Sequence, residues 1–203
     1  MTGPAPQLRL DWCKADAARW ACRHWHYSRR MPAGKAARVG VWEDGRFVGA
    51  VIFSRGANNN IGSPFGLPQT EVVELTRVAL AQHRAPVSRI VAVAVRLLKR
   101  QSPGLRLLVS YADPGQGHVG TIYQAMNWIY VGRSKPQRDV LGATGREVHK
   151  RTASARRSSC AGLAYGPKRW KHKYVLVLDR GLVPALEGMR RPYPRATEEA
   201  PCR

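Results

Sequence analysis

The chain of 203 residues carries 34 Lys and Arg against 13 Asp and Glu, a formal charge of +21, with 44% apolar residues. That apolar share excludes a wholly disordered chain, the length suits one core better than two, and the longest apolar runs, Val91 to Val95 and Val175 to Leu178, fall far short of the roughly 18 residues of a membrane span. With no signal-peptide pattern at the N-terminus, and with Cys13, Cys22, Cys160 and Cys202 spaced neither as a zinc module nor as a disulfide framework, the sequence predicts a soluble protein of a reducing cytosol.

In chain order, Leu8 to Trp12 reads as a first strand and Lys14 to about Trp25 as a helix, with Ala17, Trp20, Ala21 and Trp25 spaced for one face. Arg38 to Trp42 and Phe47 to Phe53 flank Asp44-Gly45, a pair suited to the positive φ angles of a two-residue hairpin. Ala57 to Pro68 is a loop by its Asn, Gly and Pro content, and Thr70 to Leu80 resumes a strand. Pro86 opens a helix whose apolar stripe is Val87, Ile90, Val91, Ala94 and Leu98. Leu105 to Ala112 is a buried strand, Gly117 to about Trp128 has helical character, and Ile129 to Gly132 is a short strand. From Arg133 to Lys173 there are twelve Lys or Arg and two acids, which predicts a basic arm or long loop before a last strand, Tyr174 to Asp179. The order predicts an α+β fold: a mixed sheet flanked by helices, with a long basic insertion before the last strand. Residues 1–180 form one domain in this reading and residues 181–203 a Pro-rich, partly ordered tail.

A net charge of +21 raises affinity for any polyanion, because each cation set on a phosphate releases a condensed counterion. Nucleic acid is the leading partner class on this ground and no membrane is expected; an Arg-rich composition without such a role is the bland alternative. Arg29, Arg30, Arg156, Arg157, Lys168, Arg169 and Lys171 are the candidate phosphate contacts.

Three stretches concentrate chemistry. Asp113 stands where an apolar strand ends, and Pro114, Gly115 and Gly117 after it are expected to leave backbone N–H groups open ahead of a helix; the plainer reading is a carboxylate capping that helix. His118 and Tyr123 are five apart and share no narrow helical face well, so only one of them need point into the cleft. His24, Trp25, His26 and Tyr27 close the first helix. There His26 and Tyr27 either join Asp113 as metal ligands or act as acid and base, Trp25 or Tyr27 stacks on an extruded base, or the cluster is an ordinary aromatic helix end. Cys22-x-His24-x-His26 lacks the second ligand cluster of a zinc site. Glu74 and Arg77 fall on opposite faces of their strand by period-two alternation, as structural pairs or as direct participants.

Glu74-Leu-Thr-Arg77, Ser110-Tyr-Ala-Asp113, Gly117-His-Val-Gly120-Thr-Ile-Tyr123-Gln-Ala125, Trp128-Ile-Tyr130-Val-Gly132 and Lys171-His-Lys-Tyr174 resemble the Mom family of phage DNA-modification proteins, from about His24 to Leu178. The resemblance implies a GNAT-like acyltransferase fold in a phage or prophage protein acting in the host cytoplasm. It implies conversion of adenine in duplex DNA to N6-(carbamoylmethyl)adenine, which shields phage DNA from restriction enzymes. It further implies Tyr123 as an active-site tyrosine, to be joined by the candidates His26, Tyr27 and Asp113, and Arg77 as a substrate or cofactor contact. The donor is expected to be acetyl-CoA or another activated two-carbon group, and Fe(II), held by His26, Tyr27 and Asp113, is a candidate activator. One departure stands out. The GNAT diphosphate loop usually reads Arg or Gln, two residues, Gly, one residue, Gly or Ala, whereas this chain has Gln82-His-Arg-Ala-Pro-Val-Ser88. Without glycines the backbone is held off phosphate. Arg84 and Ser88 at the helix start, with Gly117 and His118, remain the candidates for holding a cofactor. A conventional GNAT N-acetyltransferase and a non-catalytic nucleic-acid-binding protein are the alternatives.

Overall fold

The structure, a computed structural model, describes residues 5–32, 34–56, 60–141, 147–148 and 164–195. Its main sheet has seven strands in the order β1 (Leu8–Trp12), β2 (Ala36–Glu43), β3 (Arg46–Ser54), β4 (Val72–Leu80), β5 (Leu107–Ala112), β10 (His172–Val177), β6 (Ile129–Arg133). A separate three-stranded sheet holds β7 (Gln137–Leu141) between β8 (Glu147–Val148) and β9 (Tyr165–Arg169). Among the described strands only the pair β4 and β5 is parallel, and helix α2 (Val87–Gln101) makes the crossover between them, as a parallel pair requires.

The two faces of the sheet are covered differently. On one face Ile90, Val91, Ala94, Val95 and Leu98 of α2 pack on Val39, Val41, Val51, Phe53, Val73, Leu75 and Leu108. On the other, helix α1 (Ala15–Trp25) presents Ala18, Ala21 and Cys22 to Ala50, Ile52 and Ala79. The expected α1 face of Ala17, Trp20, Ala21 and Trp25 is therefore rotated. Small residues at 18, 21 and 22 let the helix approach the strands closely, and Trp20 is left 48% exposed. Beyond α1 the same face is closed by Ile61, Leu67 and Leu186, the last from the short helix α4 (Val183–Glu187).

Local chemistry accounts for the turns. Asp44 and Gly45 both take positive φ, +51° and +79°, so the β2–β3 hairpin is the tight one expected. The stretch expected to be helical from Gly117 to about Trp128 follows a turn at Pro114–Gln116 and is helical over just the four residues of α3 (Thr121–Gln124). Gly117 and Gly120 at φ +70° and +84° break it. At Gly120 a methyl group would stand 2.4 Å from the Tyr174 ring, so only glycine lets β10 pass. Gly120→Ala is expected to cost about 2–3 kcal/mol in strain and overpacking, read as a lower urea midpoint with an unchanged denaturant slope.

The basic stretch expected as a loop supplies β7, β8 and β9, and Ser134 and Lys171 hydrogen-bond where it leaves and rejoins the main sheet. Arg156 and Arg157 lie outside the described residues. Residues 191–194 pack on the body: Arg191 N–H donates to Tyr130 O (2.8 Å), the Tyr193 hydroxyl to Trp128 O (2.8 Å) and Gln124 Nε2 to Pro194 O (3.2 Å). Among the described residues no helix is long and apolar enough to cross a membrane.

Candidate active site at the fork of two strands

Strands β4 and β5 pair only from Val72–Leu107 to Leu75–Ser110 and then diverge. Past that point β4 continues along β3, while β5 continues along β10. The last paired residues mark the fork, where the Ser110 hydroxyl donates to the Leu75 carbonyl (2.8 Å) and bonds the Tyr123 hydroxyl (2.7 Å). Tyr123 arrives from α3, its ring between Trp128 and Tyr174, and is 7% exposed. Burial pushes its phenol up to about 12, against the opposing pull of the Ser110 bond, so at neutral pH it is a proton donor.

Around this hydroxyl the chain gathers charge from four separate stretches. The β3–β4 register pairs Phe53 with Leu75 and Ile52 with Arg77, so Thr76 is an extra residue, a β-bulge. The bulge corrects the expectation of alternation: it returns Arg77 to the face that Glu74 occupies, the α1 face. Glu74 is pushed up to about 7, chiefly by burial and against the pull of Arg77 and Lys171. Gly56 lies against it, leaving no room for a Cβ beside Oε2, and among the described residues no hydrogen bond holds its carboxyl group.

At the end of α1, Arg77 ties the loop down by donating from Nε to Arg30 O (3.3 Å). His26, 8% exposed, accepts the Ser28 N–H at Nδ1 (3.1 Å) and is depressed to about 4 by burial and then by Arg77, His118 and Lys171, so it is neutral. Tyr27 packs on His26 with ring centroids 4.3 Å apart, lies 6.0 Å from His118 and is 49% exposed.

Asp113 and the turn after it differ from expectation. Gly115 N–H donates to Asp113 Oδ1 (3.0 Å), Gln116 and His118 N–H donate to Asp113 O, and Gly117 N–H to Pro114 O. The amides expected to stay open for an anion are spent within the turn, and the capping reading of Asp113 is the one realised. Its other oxygen takes the Lys171 ammonium at 3.0 Å, so Lys171, expected on DNA phosphate, faces the site. His118 and Tyr123 both come to the fork, because the glycine break removes them from one helix.

Two expected cofactor arrangements are not assembled. Among the described residues no three His, Cys, Asp or Glu side chains converge as metal ligands do. With Lys171 on Asp113 and Ser28 on His26 Nδ1, the set does not fit a preassembled iron centre. In the loop before α2, Arg84 is paired with Asp44, and Arg84 and Ala85 N–H both donate to Glu43. These groups do not fit the diphosphate of coenzyme A in its usual seat. Ser88 is separate, lining an open depression of about 410 Å3 with Arg89, Ala92, Ala125 and Met126. Arg29 and Arg30 are exposed beside the Tyr27 loop, and Lys168 and Arg169 are exposed on β9. Glu74 is the residue that sequence reasoning undervalued; a lone carboxylate inside a β-branched strand was the available signal.

Comparison with known proteins completes the picture. The model of the Mom protein family matches residues 7–195. The methylcarbamoylase Mom of Escherichia phage Mu is 28% identical over 130 residues, which cover 62% of this chain and 54% of the phage protein, so the chain spans about half the length of that relative. A polyamine N-acetyltransferase of Drosophila melanogaster has a TM-score of 0.52 at 11% identity, over 85% of this chain and 100% of that one. An Acinetobacter baylyi protein described as an acetyltransferase has a TM-score of 0.50 at 14% identity, over 88% and 96%. At such identities the likeness concerns the fold, which agrees with the α+β, GNAT-like arrangement expected from the sequence.

Proposed function

Since the chain belongs to the Mom protein family, we propose that it is a transferase that converts adenine in duplex DNA to N6-(carbamoylmethyl)adenine and so protects phage DNA from restriction. The observation that carries this reading is the convergence at one fork of His26, Tyr27, Asp113 and Tyr123, which come from distant stretches of sequence. The strongly basic composition supports a polyanionic substrate.

The adenine amine is a weak nucleophile, because its lone pair is delocalised into the ring. Reaction forms a bond from N6 to the methylene carbon of an activated two-carbon donor, breaks the donor's bond to its leaving group and releases one proton from N6. Glu74, with its carboxyl poised near neutrality, takes that proton. Tyr123 donates a hydrogen bond to developing negative charge on the donor. The exposed Tyr27 ring, braced by His26, offers a stacking surface for an extruded base, which repays part of an unstacking cost of a few kcal/mol. Lys171 fixes Asp113 at the mouth of the fork. Ordinary acetyl transfer would leave a carbonyl carbon on N6, so it is not the whole reaction.

Mass spectrometry of nucleosides from DNA of cells expressing the chain tests this reading. A carbamoylmethylated adenosine is expected. An acetylated amine with unmodified DNA would point to a conventional N-acetyltransferase, and DNA binding with neither product to a non-catalytic binding protein.

Neutralising Arg156, Arg157, Lys168 and Arg169 together is expected to weaken binding to unrelated duplexes alike. The log–log salt dependence should flatten by roughly one unit for each phosphate that a side chain no longer neutralises. Affinities of two duplexes over a salt series measure this, and an unchanged slope would remove the basic arm from the DNA.

A further inference from the structure

The hairpin β2–β3 reaches across the sheet edge to the entrance of α2. It is tied there by Ala81 N–H donating to Val48 O (2.8 Å), Arg46 Nη2 donating to Gln82 O (3.1 Å) and the ion pair of Asp44 with Arg84. Between these ties lies Glu43, the last residue of β2 and only 5% exposed. Both its oxygens accept the Arg84 N–H (3.0 and 2.9 Å), and Oε1 also accepts the Ala85 N–H (2.7 Å).

The position makes these bonds informative. Helix α2 is fifteen residues long, follows the parallel strand β4 after a short loop, and is capped by Pro86, which has no N–H to offer. Successive backbone N–H groups ahead of a long helix form an anion cradle, favoured by the partial positive charge of the helix N-terminus. In this chain the cradle is intact and a carboxylate of the chain itself sits in it. Burial alone raises the Glu43 carboxyl, but the Arg84 and Ala85 amides and the Arg84 charge outweigh it and the net shift is downward. The carboxylate is ionised and held. A phosphate approaching the loop meets spent donors and a negative charge of its own sign.

We propose that Glu43 is a built-in stand-in for a diphosphate, so that the chain does not anchor a donor by a diphosphate at α2 and instead takes a two-carbon donor held away from this cradle. The depression of about 380 Å3 beside it, lined by Glu43, Asp44, Arg46, Gln82, His83 and Arg84, offers no substitute seat. Its Arg84 is paired with Asp44, and Arg46 is tied to the loop carbonyl. The missing glycines of the loop follow from the same arrangement. A side-chain carboxylate enters from one side on a flexible stem, so the backbone need not be bared as it must be for a diphosphate.

Residue-resolved NMR of the full chain tests this, following the Arg84 and Ala85 amide signals while coenzyme A and, separately, inorganic pyrophosphate are added. Anions collecting on lysines and arginines elsewhere do not enter that readout. In the wild-type chain both amides are expected to stay in place at millimolar ligand. In Glu43→Ala, or Glu43→Gln where the alanine variant does not fold, both are expected to shift saturably with pyrophosphate. Saturable shifts of the two wild-type amides with coenzyme A would overturn the proposal, because the ligand would then displace Glu43. Folded variants whose amides also ignore pyrophosphate would overturn it from the other side, since the cradle would then have no anion affinity to block. The wild-type titration decides alone if neither variant folds. No DNA or product is involved, so failure here leaves the adenine-modifying reading standing.

Discussion

Asp113→Ala and Tyr123→Phe are each expected to abolish detectable adenine modification, a loss of about 10²-fold or more, while the fold and DNA affinity survive. The structure keeps the two effects apart from packing. Tyr123→Phe retains the ring between Trp128 and Tyr174 and removes one hydroxyl, whose partner Ser110 still has the Leu75 carbonyl. The stability cost is about 1 kcal/mol, that of one buried hydrogen bond. Asp113→Ala loses the cap on Gly115, about 1 kcal/mol, and frees Lys171 to move into the fork. Nucleoside mass spectrometry gives the activity, urea unfolding the stability and a binding titration the affinity. A Tyr123→Phe chain that makes wild-type amounts of modified adenosine would show that the phenol serves packing alone.

How far the sequence reveals this site depends on the range over which each feature is decided. The Asp44-Gly45 turn is legible because two adjacent φ angles settle it, and the α2 stripe because its period repeats over fifteen residues. The break in the 117–128 stretch is set by Tyr174, more than fifty residues away, whose ring needs the space beside Gly120. The bulge at Thr76 is a matter of register against β3, and no local pattern announces it; yet it decides that Glu74 and Arg77 share a face. Strand β9 pairs with β7 across more than twenty intervening residues rich in Lys and Arg, so composition reads as a loop where pairing makes a sheet. Glu43 reads as a turn-flanking acid until the hairpin carries it 41 residues along the chain to Arg84. The sequence, by residue type at the end of α1 and at Asp113 and by resemblance at Tyr123, makes these four side chains, His26, Tyr27, Asp113 and Tyr123, candidates without any of this. It did not reveal that Asp113 would be paired with Lys171, or that the amides following it would be consumed.

The largest pH effects are expected from Glu74 and His26, which act in opposite directions. Glu74 has its folded value raised from the ordinary 4.5 to about 7, so between those values the folded chain binds more protons than the unfolded one and stability falls as pH rises. His26 is lowered from 6.5 to about 4, so in that window the unfolded chain binds more protons and stability rises with pH. Each shift is worth roughly 3 kcal/mol at full extent, and in the wild-type chain they largely cancel between about pH 4.5 and 6.5. Glu74→Gln removes one of them. Its stability is expected to climb with pH across that interval, where His26→Asn should show the reverse slope, both read from urea midpoints taken at half-unit steps. Arg77 and Lys171 face both groups and His118 faces His26, and all three remain in both variants, so they shift the curves without creating the difference in slope. Modification rate separates the catalytic role from the structural one: the wild-type rate should rise as Glu74 ionises near pH 7, and Glu74→Gln should lose about 10²–10⁴-fold along with that limb. A glutamine variant that keeps the rising limb would assign the N6 proton to another group.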